Sequence, residues 1–217
     1  MTRIHILGGT GYAGGHLAHT AAARGHDVVS FSRTIPQDAS PDVTYRTGDV
    51  LNDDLLSVAF DDADVVISAL SARVPLANSA TFAALIRKAT DLAVERGTRF
   101  GVIGGAGSLR TGPDGPLLVE APGFPAVARP EALVMTQVLD QLRAIQDDRL
   151  DWFFVSPAAN FGAQAPGQAT GHYRIGGDVI LFDENGNSEI SGEDLALAIT
   201  EEIETPTHHR QRFTVAY

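Results

Sequence analysis

The chain has 217 residues, 44% hydrophobic and 20% charged, enough to bury a substantial core within a single domain. It has no cysteine and a formal net charge of −11, which rules out disulfides and thiolate chemistry and argues against sequence-independent binding to nucleic acid. Met1-Thr2-Arg3 runs straight into an apolar segment and no apolar run approaches the roughly 20 residues of a membrane span, so a cytoplasmic protein without membrane or nucleic-acid partners is expected.

Ile4-His5-Ile6-Leu7 reads as a strand that ends in glycines. A helix follows from Tyr12 to Arg24, broken by Gly25, and then a second strand over Asp27–Phe31. The alternation continues with a short strand over Val43–Arg46, a helix over Asp53–Phe60 and a buried strand over Ala63–Ala69. Next come a helix from about Ser79 to Glu95, a strand over Phe100–Ile103, a helix from about Pro130 to Ile145 and a strand over Trp152–Val155. Such alternation predicts an α/β fold: a Rossmann-type, doubly wound parallel sheet with helices on both faces. Beyond Pro157 the texture changes to glycine-rich loops. Short strands are expected over Asp178–Phe182 and Ser188–Ile190, a helix over Gly192–Glu204 and a last strand over Arg212–Val215. Residues 157–217 are read as a small cap on the substrate side, continuous with the single domain.

The segment Gly8-Gly9-Thr10-Gly11-Tyr12-Ala13-Gly14 carries a Gly-x-x-Gly-x-x-Gly pattern between a strand and a helix. In that context the first glycine permits a tight turn, the second a close backbone approach to pyrophosphate, and the third close packing of helix on strand. The helix start then offers free N–H groups and a positive dipole end to phosphate. Gly8, Thr10, Gly11, Tyr12, Ala13 and Gly14 are therefore expected to bind a dinucleotide.

At the end of the second strand the chain reads Ser30-Phe31-Ser32-Arg33-Thr34, with no acid before Asp38. An acid there takes the ribose hydroxyls of NAD, whereas an arginine suits the 2′-phosphate of NADP. Arg33 thus points to NADPH, with NADH as the alternative cofactor. Asp49 and Val50, after the third strand, stand where a carboxylate meets the adenine amino group or simply caps a turn. Ala69, Leu70 and Ser71 end the fourth strand and are expected to approach the ribose and nicotinamide.

With these residues the chain resembles the atypical short-chain dehydrogenase/reductases, in particular small NAD(P)H-binding proteins of the NADH-flavin reductase type, akin to biliverdin reductase B. The resemblance extends over nearly the whole chain. It includes Gly104-Gly105-Ala106-Gly107-Ser108-Leu109, Ser156-Pro157-Ala158, Thr170-Gly171-His172-Tyr173, Ile190–Ala196 and Arg212-Phe213-Thr214-Val215. It implies reduction of a flavin or another conjugated acceptor, with flavin as substrate or bound acceptor. Pro157 is counted with the cofactor-binding residues.

Ordinary members of the wider superfamily use a tyrosine and a lysine four residues later. Here Lys88 is the sole lysine and the residue four before it is Ala84, while His16, Asp49 and Gly177 follow Tyr12, Tyr45 and Tyr173 at that spacing. A carbonyl receiving hydride becomes a basic alkoxide that needs a placed acid, whereas a flavin spreads the electrons over its rings. The missing pair therefore fits a flavin-like small-molecule acceptor, or a non-catalytic redox sensor that binds NAD(P). Ser108 on the acceptor side, and His172 and Tyr173 in the cap, are the catalytic candidates; each also has an ordinary structural reading. Arg110, Arg129 and Arg174 are candidates for a ligand phosphate. No metal site is expected, and the protein is expected to be a monomer or small homo-oligomer.

Overall fold

The computed structural model describes residues 1–72 and 79–217. Its strands are β1 (Arg3–Leu7), β2 (Asp27–Ser32), β3 (Val43–Thr47), β4 (Val65–Ser68), β5 (Arg99–Ile103), β6 (Trp152–Pro157), β7 (Arg174–Gly176) and β8 (Gln211–Ala216). Its helices are α1 (Tyr12–Ala23), α2 (Asp53–Val58), α3 (Ser79–Arg96), α4 (Arg129–Ala144) and α5 (Gly192–Glu204). The strands form one sheet in the order β3-β2-β1-β4-β5-β6-β8-β7, parallel throughout except for the antiparallel β7 at the edge. This is the expected Rossmann-type sheet.

The strands are nearly continuous apolar runs because helices cover both faces. In β1, Ile4 and Ile6 join the core formed with Leu17, Ala18 and Ala21 of α1 and Leu195, Ile199 and Ile203 of α5. Leu7 points the other way, into the core formed with Leu56 of α2, Phe82 and Ile86 of α3 and Val138 and Leu142 of α4. The same alternation places Phe153 and Val155 on the α1/α5 side and Trp152 and Phe154 on the other.

Local signals set the helix ends. The alanine-rich α1 stops where Gly25 takes a φ of +84°, and the His26 N–H returns to the Ala21 carbonyl at 3.1 Å. Asn52 caps α2 by accepting from the Leu55 N–H at 3.0 Å, and Ser191 caps α5 by accepting from the Asp194 N–H at 3.0 Å.

The segment after Pro157 contributes to the main layers: α5 packs beside α1, and β8 pairs in parallel with β6. The two short strands expected there do not form. Residues Asp178–Phe182 make one isolated bridge, Val179 to Arg110, and Ser188–Ile190 make one, Glu189 to Asn160. The edge strand is instead Arg174–Gly176. The reason is tertiary: Asp178 is drawn to Arg212 and Arg143, and Ile180 is buried, so this run plugs against the 108–118 loop and adds no ladder. Among the described residues no helix is long and apolar enough to cross a membrane.

Candidate functional site

The chain leaves β1 toward β2 and β3 on one side and resumes at β4 on the other. A crevice therefore opens at the carboxyl ends of β1 and β4, where open α/β sheets bind their ligands. The glycine loop fills that position. The Gly8 N–H donates to the Phe31 carbonyl at 2.8 Å and the Gly11 N–H to the Gly8 carbonyl at 3.0 Å, which folds the loop back over β2.

Three of the glycines have reasons inside the fold. Gly8 sits at a φ of +84°; a Cβ on Gly9 would lie 2.4 Å from Ser30 Oγ, and one on Gly14 would lie 2.4 Å from the Gly8 carbonyl oxygen. Gly11 differs. Its backbone is extended at φ −75°, it is exposed, and its nearest neighbour would be 3.3 Å from a Cβ. The space that a side chain at Gly11 would fill lies on the outer side of the loop, where a phosphate would approach.

Helix α1 begins at Gly11 with no side-chain cap and no acidic residue in its first turn, unlike α2 and α5. The amides of Tyr12 and Ala13 thus open the helix without internal acceptors, as a phosphate site requires. This cradle fits a dinucleotide phosphate. The Tyr12 ring stands edge-on to Phe161 at 5.4 Å and to His16 at 4.8 Å, and its hydroxyl donates to the Pro166 carbonyl at 3.2 Å. The Thr10 N–H donates to Ser32 Oγ at 3.2 Å, which fixes the loop to the end of β2.

Arg33 follows directly. It is exposed and, among the described residues, makes no ion pair or hydrogen bond. Asp49 is exposed as well; its Oδ1 accepts from the Leu51 N–H at 2.9 Å, a turn role, while the cap of α2 falls to Asn52. Val50 is buried beside a groove of about 370 Å³ lined by Val50, Leu51, Thr81, Ala84 and Leu85, with Lys88 and Asp53 joined at 2.5 Å on its wall. Ala69 and Leu70 back the loop, each within 3.1 Å of where a Gly8 Cβ would stand, and Ser71 is exposed just beyond. Pro157 ends β6 and is buried.

The acceptor-side candidates are dispersed. Ser108 is 5% exposed in a one-turn 3-10 helix after β5, and its Oγ accepts from Arg212 Nη1 at 3.2 Å. The exposed His172 lies in a turn whose backbone N–H donates to Thr170 Oγ1 at 3.1 Å. The Tyr173 hydroxyl donates to Glu201, with burial first and that carboxylate second raising its pKa. Glu201 lies nine residues into α5, about 13 Å along the helix from Gly192, which packs on His16 next to the loop. Tyr173 is therefore not gathered with the glycine loop.

The remaining tyrosine hydroxyls also meet groups of their own chain. Tyr45 accepts from the Ser40 N–H at 3.2 Å, and Tyr217 donates to Asp194 at 2.6 Å. Arg110 donates to the carbonyl of Gly115 at 3.0 Å, Arg174 to those of Phe182 at 2.7 Å and of Tyr217, and Arg129 to that of Val119, so all three are engaged by backbone carbonyls of their own chain. Among the described residues no His, Asp and Glu cluster suited to a metal is present.

Fold and loop together define a dinucleotide-binding protein of the Rossmann type. More narrowly, the chain belongs to the NAD(P)H-binding family, whose model matches residues 8–206. It is 34% identical over 216 residues to the uncharacterized protein YwnB of Bacillus subtilis, covering 98% of this chain and 97% of that one. Among solved structures it resembles a "putative NADH-flavin reductase" from Streptococcus pneumoniae at 30% identity and a TM-score of 0.82, covering 100% of this chain and 99% of that one. A "putative epimerase" from Bacteroides thetaiotaomicron is similar at 32% identity and a TM-score of 0.86, covering 100% and 97%.

Sequence reasoning passed over Ser30, Ser32 and Arg212. The first two are small polar residues at alternate positions of an otherwise apolar strand, a signal that something passes close above that face. Arg212 had no such local mark, since its partners lie 34 to 104 residues away.

Proposed function

We propose that this protein is an NADPH-dependent reductase of the atypical short-chain type, akin to biliverdin reductase B, that passes hydride to a flavin or a similar conjugated acceptor. The observation that carries this reading is the disposition of its tyrosines and its lysine. Each of the four tyrosine hydroxyls is bonded within the chain, to Pro166, Ser40, Glu201 or Asp194, and Lys88 is paired with Asp53. That arrangement favours an acceptor which delocalises the incoming electrons over one that must be protonated as an alkoxide. It counts against the epimerase chemistry named for one structural neighbour, and the reductase named for another supports the flavin reading.

The bound cofactor would supply the hydride. The chain's own part is to hold its pyrophosphate on the amides of Gly11, Tyr12 and Ala13, to meet its 2′-phosphate with Arg33, and to lay the acceptor against its reactive face. A cytoplasmic location and a monomeric or small homo-oligomeric state accompany this proposal.

The test is NADPH oxidation with FMN, FAD, riboflavin and a quinone, beside secondary alcohols and sugar nucleotides. Turnover is expected with the first group alone, and Tyr173→Phe is expected to keep it. Tight NADPH binding without turnover on any acceptor would overturn the reductase reading and favour a redox sensor.

A further inference from the structure

We propose that Arg212 is a positioning residue that fixes Ser108 as a hydrogen-bond donor to the hydride acceptor; the inference rests on the reductase reading above. Arg212 lies on β8 with its side chain 1% exposed. Its Nε donates to Asp178 Oδ1 at 2.7 Å, and Nη2 also reaches that carboxylate. Nη1 donates to Ser108 Oγ and to Ser156 Oγ, each at 3.2 Å.

A guanidinium has only donors, so both serine oxygens are acceptors in this contact. The Ser108 proton must then point elsewhere. Among the described residues nothing accepts it, although Ser108 is buried and a buried hydroxyl proton left unpaired is costly.

The frame around this hydroxyl is stiff. Gly107 lets the turn lie against α4, where a Cβ would come within 2.7 Å of Ala132 Cβ. Asp178, which anchors Arg212, is held in turn by Arg143 of α4 at 2.6 Å. A buried cation is weak as a stabiliser compared with apolar packing, so its presence here points to a use beyond stability.

Location supplies that use. With Arg33 and Val50 on the β2/β3 half of the crevice, the second half of a dinucleotide crosses to the carboxyl ends of β4 and β5, and Ser108 follows β5. Ser108 donates to the acceptor heteroatom on which negative charge develops as the hydride arrives. The proton that completes the reduction comes from solvent, and Arg212 changes neither charge nor bonding.

The experiment compares the full-length protein with Ser108→Ala, Arg212→Gln, Asp178→Ala and the Ser108→Ala/Arg212→Gln double variant. Readouts are kcat and KM for FMN-dependent NADPH oxidation, NADPH affinity by fluorescence, and thermal unfolding. Each single variant is expected to lower kcat about tenfold, the loss of one aimed hydrogen bond, with NADPH affinity unchanged. The double variant is expected to be no slower than the slower single, because both changes act through one hydroxyl. Wild-type kcat in folded Arg212→Gln, or additive losses in the double variant, would overturn the proposal while leaving the reductase reading intact. Should Arg212→Gln unfold, Asp178→Ala decides: a drop in kcat supports the proposal and wild-type kcat overturns it. Absence of turnover in the wild type with every acceptor removes both readings together.

Discussion

Ser32 Oγ accepts a hydrogen bond from the Thr10 N–H at 3.2 Å, so the end of β2 and the phosphate loop form one rigid piece. Arg33, the next residue, is therefore carried at a fixed offset from the phosphate cradle, exposed and without an ionic partner among the described residues.

Replacement of Arg33 by alanine is expected to weaken NADPH binding about ten- to a hundredfold, as for loss of a charge-assisted bond to phosphate. NADH binding should be nearly unchanged. Titration of both cofactors by fluorescence checks this, and equal losses for the two would remove the 2′-phosphate assignment.

The glycines of the loop should separate by phenotype. Gly14→Ala drives a Cβ to 2.4 Å from the Gly8 carbonyl and should cost about 1–3 kcal/mol of stability, measured by denaturant unfolding. Gly11→Val changes an exposed, extended N-cap residue whose Cβ would lie 3.3 Å from the Gly8 carbonyl oxygen, and should cost less stability than Gly14→Ala while abolishing NADPH affinity. Loss of stability without loss of affinity at Gly11 would mean that the cradle is not the phosphate site.

At the opposite end of the sheet, burial of Glu202 pushes its pKa up, but hydrogen bonds from Arg99, His208 and Thr207 outweigh burial and hold it at about 2. A carboxylate with a depressed folded pKa stabilises the fold above its unfolded value and loses that contribution as protons bind. Stability is thus expected to fall as pH drops from about 4.5 toward 2. Urea unfolding across this window should be steeper in wild type than in Glu202→Gln, and parallel curves would contradict the assignment. Arg99→Ala removes the cationic partner of that buried carboxylate but leaves its bonds from Thr207 and His208, and should cost about 1–3 kcal/mol at neutral pH.

Much of the fold was legible because its signals are local. Apolar runs such as Val65-Val66-Ile67 between turn residues mark buried parallel strands, and the glycine spacing after β1 marks the phosphate turn. The region from 174 to 190 was not legible in the same way. Its short apolar runs look like strands, yet Asp178 answers to Arg212 and Arg143, whose partnership no window of neighbouring residues contains.

The acceptor-side residues were the hardest to place, since donor, acceptor and burial are tertiary properties. Tyr173 and His172 stand next to each other in sequence, yet one hydroxyl is tied to Glu201 partway along α5 while the other side chain is exposed.

The sequence by itself determined the layered α/β architecture, the dinucleotide loop, the arginine at the end of β2 and the lack of a tyrosine-lysine pair, because each is written in short-range periodicity or in residue identity. Only the tertiary structure decided that Gly11 alone among the motif glycines faces outward, that α5 and β8 complete the main body, and that Ser108 lies under a buried arginine. Those facts depend on contacts between residues far apart in the chain, fixed when the helices pack into the two cores on either face of the sheet.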